Sequence, residues 1–144
     1  MDHVAIMNKK WGLIPKILSS EKTIESRWYK NKIAPWNKIH EGDFVYFKDT
    51  GELITARATV GDVIQYSNLT PDIIKEIVMK FGREICLQDT NFDEWRNSKK
   101  YCILIFLKGP QPVQPFCIDK SGFGNAAAWL VVPNIEKIRI NDYL

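Results

Sequence analysis

The sequence predicts an α+β fold, a small antiparallel or mixed β-barrel with two or three helices packed outside it. Three observations predict it. Short β-branched and aromatic runs recur along the 144 residues, and most follow one another without an intervening helix. One unmistakable amphipathic helix, with a weaker one before it, supplies the α part. A strict alternation of strand and helix, which would demand a doubly wound parallel sheet, is missing.

The elements can be justified in order. Val4-Ala5-Ile6-Met7 reads as a first strand. From Trp11 to Ser19, apolar residues recur at helical spacing, with Pro15 placed in the first turn, where its missing N–H is harmless. Thr23 to Tyr29 alternates and is rich in β-branched and aromatic residues, so it reads as a strand. Glu41-Gly42-Asp43 is a turn signal ahead of the strand Phe44 to Lys48, and Asp49 to Glu52 is a hairpin-type turn. In the strand that follows, Ile54, Ala56, Ala58 and Val60 share one face, and Thr55, Arg57 and Thr59 the other.

The clearest helix starts with Thr70 as N-cap and Pro71 at the first helical position. It presents Ile73, Ile74, Ile77, Val78 and Phe81 on one face and is expected to end at Gly82. A second short helix is expected over Asn91 to Asn97. Tyr101 to Leu107 is almost continuously apolar, the pattern of a central strand. Pro110, Pro112 and Pro115 suggest an extended connection, followed by separate strands at Phe116 to Ile118, Trp129 to Val132 and Ile135 to Ile140.

Composition sets the remaining bounds. Apolar residues make up 45% and charged residues 26%, a globular balance that can fill one core. One domain spanning 1–144 is therefore expected. No apolar run is long enough to span a membrane, and the first residues are too polar for a signal peptide, so a cytoplasmic location is expected. Cys86, Cys102 and Cys117 are odd in number and lack CxxC spacing, which suits reduced structural thiols. Neither His3 nor His40 belongs to a zinc-like spacing, and the loop Ser121-Gly122-Phe123-Gly124 lacks the P-loop pattern. No metal or cofactor is expected.

Net charge is only +3, but its distribution is uneven. Residues 1–40 hold eight Lys or Arg against three acids, and the remainder of the chain is slightly acidic. A local basic patch attracts phosphate whatever the net charge. Trp11, Trp28, Tyr29 and Trp36 interleave with these cations, as stacking rings do in single-strand recognition, although such rings also fill cores. Trp36, after Pro35 in a loop-like stretch, is the one expected to be exposed.

The densest polar signal runs from Ser20 to Lys30. On a strand, Thr23, Glu25, Arg27 and Tyr29 share a face, with Ile24, Ser26 and Trp28 opposite, and Lys22 falls at the junction with the preceding helix. Lys22 and Arg27 can there hold a phosphate while Glu25 accepts from a base or a water. An ordinary Glu–Arg ion pair is the plainer reading of the same spacing. Lys48 and Arg57 on neighbouring strands, and Lys120 in the glycine-containing loop, would extend the basic surface.

The stretch resembles the signature of the ASCH (activating-signal-cointegrator homology) family, G-x-K-x-x-E-x-R, on Ser20, Lys22, Glu25 and Arg27, with serine where the family has glycine. The stretches Trp36…Gly42-Asp43…Tyr46-Phe47-Lys48 and Asp119 to Trp129-Leu130 resemble longer members as well. The resemblance implies a PUA-like barrel with the signature on the floor of a cleft, and a role in RNA binding. One branch of the family resembles an amidohydrolase of acetylated cytidine that uses a lysine, a threonine nucleophile and a glutamate. Lys22 matches its lysine, but Glu25 occupies the threonine position, and Thr23 projects from elsewhere.

Three readings follow. The first is an RNA- or nucleotide-binding module in which Lys22 and Arg27 meet phosphate, Glu25 meets a base or sugar, and Trp28, Tyr29 or Trp36 stacks. The second is a hydrolase acting on RNA or modified nucleosides, with Lys22 and Glu25 as catalytic candidates and Arg27 beside them. The third is a protein-interaction domain in which the Glu25–Arg27 pair is structural.

Overall fold

The computed structural model describes residues 1–87, 98–124 and 126–140. Among these residues, seven strands and two α-helices of a turn or more follow in the order β1 (Asp2–Met7), α1 (Leu13–Leu18), β2 (Ile24–Tyr29), β3 (Phe44–Asp49), β4 (Ile54–Tyr66), α2 (Pro71–Ile85), β5 (Tyr101–Ile118), β6 (Trp129–Val132) and β7 (Arg139–Ile140). The sheet order is β2-β5-β4-β3-β1-β6, with β7 paired to the far end of β5. Among the described strands, β1 and β3 run parallel and the other pairs are antiparallel. The result is a mixed sheet curled into a half-barrel with two helices, the α+β architecture expected from the sequence. No helix among the described residues is long and apolar enough to cross a membrane.

Alternation along the strands decides what is buried. Ala5, Met7, Val45, Phe47, Ala56, Ala58 and Val60 point into the curl, where Leu13, Ile14 and Ile17 of α1 fill the centre. α2 covers another part of the sheet, its Ile74, Ile77 and Ile85 packing on Ile24, Trp28, Cys102 and Leu104. Val4, Ile6, Tyr46 and Ile54 form a smaller outer cluster with Phe116 and Leu130.

Four expected boundaries differ, each for a local reason. The helix expected over Trp11–Ser19 is divided: a 3-10 turn covers Lys9–Trp11, Gly12 takes the left-handed conformation at φ 60°, and α1 begins only at Leu13. This break leaves Trp11 41% exposed, outside the packed stripe. α2 continues past Gly82 to Ile85, because burying Ile85 outweighs the roughly 1 kcal/mol that a helical glycine costs. The prolines 110, 112 and 115 do not separate two strands, and Phe116–Ile118 is the end of β5 itself. β2 pairs with β5 only up to Phe106 and β7 only from Cys117, so the prolines fall where that edge of β5 has no ladder to lose. Finally, Ile135–Lys137 is a 3-10 turn capped by Asn134, leaving only Arg139–Ile140 as strand. The helix expected over Asn91–Asn97 lies outside the described residues.

Candidate nucleic-acid interface

The first and last strands of the open sheet, β2 and β6, leave a seam, and Arg27 crosses it. From β2 its Nη1 donates to the Ala128 carbonyl just ahead of β6 (3.2 Å), and its Nη2 donates to the Ile6 carbonyl of β1 (3.3 Å). The same Nη2 meets Glu25 Oε2 at 3.1 Å. Above this seam opens a cleft of about 820 Å³.

Its floor is a buried triad. Glu25 is 3% exposed and Lys22 2%. The Lys22 ammonium lies 3.3 Å from Glu25 Oε1, donates to the Ile24 carbonyl at 2.9 Å, and donates to the carbonyl of Ile85. Ile85 is the last residue of α2, so its carbonyl is one of the orphan acceptors at the negative end of a helix. Lys22 therefore caps α2 from below. The backbone prepares this geometry: Ser20 adopts φ 64° after α1, and the Lys22 N–H closes onto the Lys16 carbonyl at 2.9 Å. The left-handed turn that the family's glycine would serve is thus present with serine in its place.

The triad sets the charge state of Glu25. Burial alone would raise its carboxyl, but Lys22 and Arg27 outweigh that and hold it below its ordinary 4.5. Oε1 accepts from Lys22 and from the Ser26 N–H (3.0 Å), and Oε2 accepts from Arg27. Among the described residues, three of the roughly four acceptor positions of this carboxylate are filled, which leaves one on Oε2. Lys22 is in the opposite condition, its three N–H donors facing three acceptors, so the expected direct phosphate contact from Lys22 has no donor left.

Of the residues singled out in the sequence, Lys22, Glu25, Arg27, Trp28, Tyr29 and Lys120 line the cleft, while Trp36, Lys48 and Arg57 do not. Trp28 is 8% exposed, packed in the α2 core with its indole N–H on Ser26 Oγ (3.0 Å), so its faces are not available for stacking. Tyr29 is half-buried beside Arg27, and burial raises its phenol above the ordinary value. Trp36, expected to be exposed, is half-buried against the core and set edge-on to Tyr101 at 5.1 Å. Arg57 lies over the Phe44 ring at 4.7 Å. Lys48 is 7% exposed on the outer face of β3, with its pKa lowered by burial and by Lys120.

Three further residues complete the cleft lining, of which the sequence offers Trp11 only as one ring among several and does not single out Lys10 or Lys99. Lys10 and Trp11 lie on the 3-10 turn ahead of α1, and Lys99 precedes β5. Trp11 was visible as an aromatic among cations, but only the break at Gly12 turns it outward. Among the described residues, five cations line the cleft (Lys10, Lys22, Arg27, Lys99 and Lys120) against the single carboxylate of Glu25. Lys10, Lys99 and Lys120 have no carboxylate partner among those residues.

No family model matches the chain, and neither does any curated protein. Solved structures do. The crystal structure of ASCH from Zymomonas mobilis covers 94% of this chain and 90% of its own, with TM-score 0.68 and 15% identity. Two point variants of that protein superpose with TM-score 0.69 over 94% of this chain and 93% and 91% of theirs, also at 15% identity. The chain has the α+β fold of these ASCH structures.

Proposed function

We propose that the protein binds RNA or a nucleotide-like ligand in this cleft. The observation that carries the reading is the excess of cations lining it, five against one carboxylate among the described residues. In a half-enclosed site such an excess attracts an anion. Lys10, Lys99 and Lys120 meet phosphates, the exposed ring of Trp11 offers a stacking face, and the open acceptor position on Glu25 Oε2 meets a base amine or a sugar hydroxyl. RNA is also the ligand that the Lys22/Glu25/Arg27 signature implies. A cytoplasmic location belongs to the same proposal.

The geometry supports binding better than turnover. A general base works best with a pKa near the working pH, and the cations beside Glu25 lower its value instead. The Lys22 ammonium is held by three acceptors, which does not suit an attacking amine. The protein-interaction reading draws on the same pair: the Glu25–Arg27 contact at the seam is structural whatever else it does.

The test is titration of a short labelled single-stranded RNA, and of a mononucleotide, into the protein across a salt series. The reading expects affinity that falls steadily as salt rises. No binding of either ligand by a demonstrably folded protein would remove it.

A further inference from the structure

His3 belongs to no metal-ligating spacing in the sequence, yet it is 0% exposed and both ring nitrogens are engaged. Nδ1 accepts from the indole N–H of Trp129 at 3.0 Å, and Nε2 lies 2.9 Å from Asp43 Oδ2. Because an indole N–H can only donate, Nδ1 must be bare and the proton must sit on Nε2, pointing at Asp43. Asp43 is fixed in turn by the His40 N–H at 3.0 Å. At the other end of the chain of contacts, the Arg27 guanidinium lies over the Trp129 ring, 5.0 Å from its centroid.

We infer that His3 is a positioning residue for the cleft: the Asp43–His3–Trp129 chain fixes the indole plane against which Arg27 is aimed across the seam at Glu25. A cation over an aromatic face is directional, so rotating the indole re-aims the guanidinium. Trp129 has one hydrogen-bond donor, and His3 Nδ1 is its acceptor. Nothing in the local sequence links these residues, since 126 positions separate His3 from Trp129.

The arrangement carries a pH signature. The charged groups acting on His3 are Asp43 ahead of β3, the Met1 amine and Asp2 on its own strand, while Arg27 stands beyond the indole and β6 contributes Trp129. Burial outweighs Asp43 and places the imidazole below its ordinary 6.5. Protonation of Nδ1 would remove the indole's acceptor and set two N–H groups against each other. Phosphate affinity, which added positive charge would otherwise raise, should then fall as His3 titrates.

The experiment follows the Arg27 Nε–H and Trp129 indole resonances by NMR, alongside RNA affinity and thermal stability, in wild type, His3→Gln, His3→Asn and Trp129→Phe. Asparagine places a carbonyl near the Nδ1 position and should keep the acceptor for the Trp129 indole while giving up the bond to Asp43. Glutamine reaches only the Nε2 side; it should shift both resonances and weaken RNA binding roughly fivefold to tenfold, the effect of about one lost hydrogen bond. Trp129→Phe keeps a ring but no donor, so adding His3→Gln to it should change Arg27 no further. Unchanged Arg27 signals in a folded His3→Gln protein, or additive effects of the two substitutions, would overturn the inference. Should His3→Gln fail to fold, the wild-type pH titration decides: Arg27 must move with His3, and must not in Trp129→Phe. The inference about affinity rests on the cleft reading above. If wild type binds no RNA, that reading fails, while the resonances still decide whether His3 positions Arg27.

Discussion

The floor and the rim of the cleft handle charge in opposite ways. On the floor, Lys22 and Glu25 are almost fully buried, Arg27 is nearly so, and each is held by partners within the protein. On the rim, Lys10 is exposed, Lys99 and Lys120 are half-buried, and none has a carboxylate partner among the described residues. Buried charges are tolerable only when paired and hydrogen-bonded, which ties the signature residues to the architecture: they cap α2, bridge β2 to β1, and hold the seam. Unpaired, accessible cations cost little and are free to meet a ligand. Residues that announce a site in sequence can therefore be the frame of that site, with recognition carried by neighbours that have no motif.

The strongest way to break this comparison is Glu25→Gln. It keeps the shape but leaves Lys22 and Arg27 as buried cations without a counter-charge, and breaking a buried pair in that way costs about 3–5 kcal/mol. Denaturant unfolding should show a loss of that order. Acid unfolding gives a second signature. The Glu25 value is lower folded than unfolded, so its stabilisation is complete above its ordinary 4.5 and is lost as pH falls through the folded value. Glu25→Gln should lack that segment of the pH–stability curve. A stability change under about 1 kcal/mol would mean that the triad is not the frame of the cleft.

The rim should behave inversely. Replacing Lys10, Lys99 and Lys120 together by alanine should leave stability within about 1 kcal/mol, since no described ion pair is lost. The same variant should lower the slope of log affinity against log salt by about 2, given three phosphate contacts on a single strand. An unchanged slope would sever the rim from ligand binding. Trp11→Ala sharpens the same contrast: with the ring 41% exposed it should cost little stability and about 1–3 kcal/mol in RNA affinity. Trp28→Ala should do the reverse, because that ring is core.

What was legible in the sequence follows the reach of each signal. Period-two alternation puts Glu25, Arg27 and Tyr29 on one face of β2 and Ala56, Ala58 and Val60 on one face of β4, as the structure has them. It also groups Ile54 with the latter, whereas the break in pairing between Ile54 and Ala56 turns Ile54 to the outer cluster. Alternation tells which residues share a face, but not which face of a curled sheet looks toward an opening. The alternation therefore groups Lys48 and Arg57 with the basic floor, although the cleft lies at the seam between β2 and β6 and neither residue lines it. Trp36 was read as exposed from a loop-like context, but Tyr101, 65 positions later, covers it edge-on. The capping of α2 by Lys22 and the bond between His3 and Trp129 each join residues that only the closed fold brings together.

The smallest expected effect concerns the single departure from the ASCH signature. Ser20 occupies a left-handed backbone conformation, φ 64°, immediately before the turn that delivers Lys22 to Glu25. A side chain at that φ crowds the following carbonyl, at a cost of about 1 kcal/mol that glycine does not incur. Ser20 is exposed, and its N–H already donates to the Ile17 carbonyl at 3.1 Å, a bond that glycine would keep. Ser20→Gly should therefore stabilise the folded chain, by somewhat less than 1 kcal/mol because glycine also frees the unfolded chain. It should leave RNA affinity and its salt dependence unchanged, since the turn is already formed. Gain in stability without gain in affinity would show that serine here strains the frame but leaves it in place. A marked gain in affinity would mean instead that the turn is only partly formed in the free protein, and that its closure on Lys22 and Glu25 is coupled to the ligand.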